Sequence, residues 1–227
     1  MVQAPGAAAQ TVAARITVDA GRVENKISPL LYGQFAEFMF EGVKGGLHAE
    51  LIRDRGFEEA PNSIGLPRHW DRYPDDRNDD YGLSFGWDDA TQYPPGRKTE
   101  GGTPEHSLRV EAGDGVTERH GVYQSRVPAR GGVEYRGYLW LKSAGYEGRV
   151  AVALERDVTG GEVYAAADIG KVGGDWKRYG FTLRPAKSDP LARFAVLFFG
   201  RGRVWVDQVS LMPGDAAAGG VRRDVFE

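Results

Sequence analysis

Cysteine is absent from the 227 residues. That excludes disulfides, a thiolate metal site and a cysteine nucleophile, and it leaves the redox compartment open. No apolar run approaches the ~20 residues that a membrane-spanning helix needs. The net charge is -3 and no basic stripe appears, so the electrostatic footprint of a nucleic-acid binder is missing. The four histidines, His48, His69, His106 and His120, match no zinc spacing. There is no phosphate-binding P-loop and no G-x-S-x-G nucleophile elbow. The first residues, MVQAPGAAAQTVAA, lack the positive start and apolar core of a secretory signal. They read as a flexible lead-in over 1–14, and an extracellular or periplasmic location stays open.

Glycine is what the chain has in excess: 32 of 227, against an average near ~7%. Proline stands at 12 and aromatics at 11%. This mix disfavours a helical bundle and favours short strands joined by tight turns, where glycine supplies positive φ. Charged residues at 27% and hydrophobic ones at 41% are ordinary for a folded domain and disfavour wholesale disorder.

Along the chain, Ile16, Val18 and Ala20 alternate with polar residues as a short strand. Leu30 to Phe40 is a nearly continuous apolar run, suited to a strand covered on both faces, with Glu37 as its oddity. His48 to Phe57 has short helical spacing. Residues 60–101 read as long loops with a few short strands, their aromatics packed down. Five aspartates between Asp71 and Asp80 lack the glycine and terminal glutamate of an EF-hand, so they read as a solvated acidic loop. From His106 the rhythm is all-β. Candidate strands are 107–111, 121–127, 134–142, 149–157, 162–168, 176–184, 192–200 and 203–212, a β-sandwich or jelly-roll pattern.

Strand alternation then sorts the side chains. Tyr135, Gly137, Leu139 and Leu141 share the natural core face, and Arg136, Tyr138, Trp140 and Lys142 share the other. In the next strand Val150, Val152 and Leu154 oppose Arg149, Ala151, Ala153 and Glu155. If the outer faces belong to one sheet, Arg136, Tyr138, Trp140 and Glu155 make a groove for sugar: rings for its C–H face, charged heads for its hydroxyls, alanines for space. The alternative is that the 60–101 loops cover Tyr138 and Trp140.

The stretch GQFAEFMFEGVKGGLHAELIRDRGFEE, Gly33 to Glu59, resembles the opening of α-L-arabinofuranosidases of glycoside hydrolase family fifty-one. The shared motifs are G-x-F-x-E, then G-G-L-x-A-E-L, then R-x-F-E. Further on, SLRVEA, YRGYLWLKS, WKRYGFTL and VWVDQVSLMP resemble the carbohydrate-binding-module-like jelly roll inserted early in many such enzymes, and VRRDVFE resembles the helix after it. The resemblance implies an all-β jelly roll over 59–213. It is flanked by pieces of a (β/α)₈ barrel: 15–58 with the first barrel strand, and 214–227 at the return to the barrel. A barrel needs ~250 residues, so the resemblance implies that the catalytic barrel is the missing partner. The family's acid/base glutamate follows an asparagine, and no Asn-Glu dipeptide occurs here. Both catalytic carboxylates of the retaining mechanism are therefore expected outside the chain, and by itself it should be inactive.

The same resemblance maps the family's arabinose-contacting glutamate onto Glu37. It also makes Glu58 and Asp207 a candidate pair for a structural calcium, with no other cofactor expected. The expected partner is an arabinose-containing polysaccharide or oligosaccharide, with no nucleic acid and no membrane. Three roles compete: the front of an arabinofuranosidase, a stand-alone carbohydrate-binding protein, and a module that braces the barrel without binding sugar.

Overall fold

The computed structural model describes residues 15, 21, 46–75, 82–102, 104–113, 119–217 and 219–223. The chain divides into two units, 1–36 and 37–227, and every named strand belongs to the second. Leu30 to Phe40, with Glu37, lies outside the described residues.

All named elements are strands: β1 (Asp71–Tyr73), β2 (Leu83–Asp88), β3 (Ser107–Ala112), β4 (His120–Gln124), β5 (Tyr135–Glu155), β6 (Val163–Gly170), β7 (Lys177–Leu183) and β8 (Arg193–Pro213). The two 21-residue strands organise the rest. β5 and β8 pair antiparallel from Tyr135↔Pro213 to Glu155↔Arg193. The first half of β5 also pairs with β7, and its second half with β6. The first half of β8 also pairs with β4, and its second half with β3. β1 lies beyond β4, and β2 beyond β3. One ladder thus serves both layers of a jelly-roll sandwich. The predicted strand pairs 134–142 with 149–157 and 192–200 with 203–212 are each one strand that turns a corner.

The corner falls between Ala144 and Glu147, where the β5–β8 register slips. Gly145 and Gly202 take φ of 59° and 104° there, in the left-handed region that glycine tolerates. A side chain on Gly202 would collide with the Gly145 carbonyl.

Between the layers lies the main core. Leu108, Leu139, Leu141, Val150, Val152, Leu154, Phe194, Val196, Val206 and Leu211 are fully buried in it. The expected inward positions of β5 are therefore inward. A smaller cluster, Tyr73, Tyr123, Ala153, Ala195 and Leu197, covers the opposite face of the layer built on β1, β4 and β8. Phe198 and Phe199 part as alternation requires, the first into the main core and the second onto the smaller cluster.

The segment 48–57 departs from its helical spacing. Its backbone bonds go to the far end of the chain: Ala49 N–H to Gly220 O, Leu51 N–H to Leu211 O, and Arg55 O to Val209 N–H. Asp54 and Phe57 take φ of 45° and 59°, which no right-handed helix allows. A short amphipathic stretch gains little from local hydrogen bonds alone, and here the tail offers a full set.

Candidate functional site

Three of the four groove residues expected from the sequence, Arg136, Tyr138 and Trp140, sit at alternate positions on the first half of β5, and the two rings are partly covered. The Trp140 ring, half-buried, carries Tyr93 stacked on it at 3.6 Å between centroids and 18° between planes. Trp176 tilts against Tyr93 at 6.0 Å. The loop is held there by Asp207, which faces Trp140 across the β5–β8 ladder and accepts the Tyr93 N–H at 2.8 Å. Tyr138 lies under the Arg178 guanidinium, 4.0 Å from its ring, and its hydroxyl accepts from Arg55 at 2.7 Å. Arg136 is exposed and pairs with Glu134 at 2.8 Å. Tyr93 and Arg178 each cover one face, of the Trp140 and Tyr138 rings respectively.

Glu155 does not join them. It lies fifteen positions further along β5 and is wholly buried. Its carboxylate accepts from Arg193 Nε at 2.8 Å and from Arg119 at 2.5 Å. Arg193 is equally buried, lies over the Tyr73 and Tyr123 rings at 4.9 and 4.6 Å, and reaches Asp75 at 3.3 Å. Burial opposes its charge, but the Glu155 carboxylate overcomes that and raises its pKa above the usual arginine value. Tyr123 is pushed up to about 12 by burial. The sequence carried one signal of this network. An arginine inside the apolar run LARFAVLFF must meet a carboxylate if the run is buried.

Glu58 and Asp207 have other tasks. Glu58 accepts from the His106 backbone N–H at 3.0 Å and lies 3.1 Å from its ring nitrogen, and His106 stacks on Trp87 at 3.5 Å. Asp207 is 1% exposed and accepts from Tyr93 N–H and Gln208 N–H. Burial pushes its pKa up to about 8; those backbone bonds oppose the shift, and the Glu58 and Glu105 charges add to it. Burial likewise pushes Asp54 up to about 7, against the Glu58 and Glu59 N–H bonds that it accepts. Calcium takes about six to eight oxygen ligands. Among the described residues no three carboxylate or imidazole side chains gather to hold a metal, and the donors on Glu58 and Asp207 already use their oxygens.

The structure also forms a cavity that the sequence did not suggest. It holds about 290 Å³ and lies where the segments 48–53 and 213–223 run side by side, bridged at His48↔Val221. Gln124 clamps the Arg53 backbone from both sides, accepting its N–H at 2.8 Å and donating to its carbonyl at 3.0 Å. Arg126, Arg130 and Tyr135 form the third wall. The Tyr135 hydroxyl fixes that wall by accepting the Arg130 N–H at 2.9 Å and donating to Pro128 O at 3.3 Å. Arg222 and Arg223 complete the lining, so five arginines face it. Two carboxylates share it. Glu50 is buried and turned inward, accepting from Ile52 N–H, Leu211 N–H and Ser210 O–H. Asp215 pairs with Arg130 at 2.7 Å. Arg126 is exposed, has φ of 60°, and meets no carboxylate among the described residues.

Two long strands shared by both layers define a jelly-roll β-sandwich module. No family model matches the chain. Its relatives are arabinofuranosidases. It is 29% identical to an extracellular exo-α-L-arabinofuranosidase of Streptomyces chartreusis, over 93% of this chain and 24% of the relative. It is 27% identical to α-L-arabinofuranosidase 1 of Arabidopsis thaliana, over 95% of this chain and 32% of the relative. The fold superposes on an arabinose-bound family fifty-one α-L-arabinofuranosidase with a TM-score of 0.61 and 21% identity, covering 80% of this chain and 29% of that one. The resemblance to the N-terminal part of such an enzyme therefore holds over nearly the whole chain. The chain spans about a quarter to a third of the length of the curated relatives it matches.

Proposed function

We infer that the chain serves as the non-catalytic front part of a retaining α-L-arabinofuranosidase acting on arabinan or arabinoxylan side chains. Its sandwich braces the catalytic part and does not grip sugar through Tyr138 and Trp140. The observation that carries this reading is the stacking of Tyr93 on Trp140. The face that Tyr93 covers is not open to a sugar. Similarity to arabinofuranosidases over 93% of the chain supports the enzyme class. The lack of an Asn-Glu dipeptide supports catalytic carboxylates supplied from elsewhere.

Two measurements test the reading. The purified chain should release no nitrophenol from 4-nitrophenyl α-L-arabinofuranoside; release that depends on a carboxylate within the chain overturns it. Titration with neutral arabinoxylan oligosaccharides should give the same heat for the wild type and Trp140→Ala. The variant should meanwhile lose about 3 kcal/mol of stability, the low end for removing an indole. Heat present in the wild type and absent in Trp140→Ala would restore Trp140 as a sugar platform.

A further inference from the structure

We propose that the cavity between segments 48–53, 126–135 and 213–223 binds a carboxylate-bearing sugar, a uronate unit of an acidic oligosaccharide. The lining explains the charge of the ligand. Arg126 and Arg130 stand on one wall, and of the two carboxylates in the lining Glu50 spends its oxygens on Ile52, Leu211 and Ser210 behind the wall. Arg130 gives a single bond to Asp215, and a guanidinium has five N–H donors, so others remain for a second carboxylate. Arg126 has no carboxylate partner among the described residues and brings a planar donor fork suited to bidentate recognition.

The remaining lining explains the size and kind of ligand. Tyr135, Pro128 and Pro213 provide apolar surface beside the charges, as a sugar ring with one polar edge requires. A volume of about 290 Å³ lies at the low end of small-molecule sites, ~300 Å³, and suits a single ring. The wall is built before a ligand arrives, because Tyr135 and Gln124 fix the backbones of Arg130 and Arg53. The choice of a saccharide over other carboxylates rests on the arabinofuranosidase reading. The site is separate from the Trp140 platform.

The test is titration calorimetry of the full chain with three probes: α-1,4-trigalacturonate, neutral arabinotriose and acetate. Trigalacturonate should bind about tenfold tighter than arabinotriose, the worth of one charge-assisted contact. Raising salt from about 0.05 M to about 0.5 M should weaken it. Arg126→Gly removes the guanidinium while suiting the left-handed backbone at that position, so the fold is kept; it should weaken trigalacturonate about tenfold. Arg201→Ala, on an exposed residue outside the cavity, should change nothing. Equal affinity for trigalacturonate and arabinotriose, or an unchanged affinity in Arg126→Gly, overturns the proposal. Acetate competing on equal terms with trigalacturonate overturns the sugar and leaves only an anion site. The arabinofuranoside assay uses a neutral substrate and does not involve the cavity, so either reading can fail alone.

Discussion

Asp207 should make the protein less stable as pH rises, and the size of the effect follows from where it sits. Its carboxyl is 1% exposed, and its pKa moves from 3.8 to about 8 because burial disfavours the charge. Between those values the folded state holds a proton that the unfolded chain has released. The unfolded state binds fewer protons, so the slope of unfolding free energy with pH is negative. Stability is full below about pH 4, falls through neutrality, and levels off above about pH 8. Four pH units at about 1.4 kcal/mol each set an upper bound of roughly 6 kcal/mol. The consequence is local as well as global, because Asp207 holds the Tyr93 backbone and through it the ring on Trp140. Asp207→Asn removes the titration but places an amide N–H₂ where one of two backbone donors needs an acceptor. That costs about 1–3 kcal/mol at every pH. The assay is urea unfolding followed by tryptophan fluorescence at pH 5 and pH 9. The wild type should be the more stable protein at pH 5 and the variant at pH 9. Parallel pH profiles for the two would refute the reasoning.

Asp54, pushed up to about 7 by burial, adds to the same decline, so Asp54→Asn should flatten the profile between about pH 4 and pH 7. Breaking the buried pair with Glu155→Gln should cost about 3–5 kcal/mol, because Arg193 keeps a charge with no exposure to water. Replacing both partners, as in Glu155→Gln with Arg193→Met, should recover part of that loss, and chemical denaturation of the three variants measures it. Gly137→Ala should destabilise strongly. A Cβ there meets the Phe181 ring and lies 2.5 Å from the Ser210 carbonyl oxygen, so a lower thermal midpoint in a scan is expected.

Alternation and turn chemistry were legible without coordinates. Two-residue periodicity placed Tyr135, Leu139, Leu141, Val150, Val152 and Leu154 inward, and each is at most 1% exposed. Glycine-rich breaks marked the strands, and the motifs from Gly33 onward marked the kinship with arabinofuranosidases. These signals are local: each depends on a few neighbouring residues and the geometry of the strand they form. What the rest of the chain does to a side chain is not local. Tyr93 lies 47 positions before Trp140 and reaches it through a loop without periodicity, so only the fold reveals that Tyr93 covers one face of that ring. Glu155 reads as a groove residue by alternation, yet its partner Arg193 arrives 38 residues later on β8 and takes it into the interior. The segment 48–57 has helical spacing and no helix, because the backbone donors and acceptors it needs come from 209–220. The arginine cavity is assembled from three stretches that the sequence keeps far apart. Local pattern fixed which face of each strand turns inward. Long-range pairing decided which outward faces stay open, because covering a side chain requires a partner that its own neighbours do not specify.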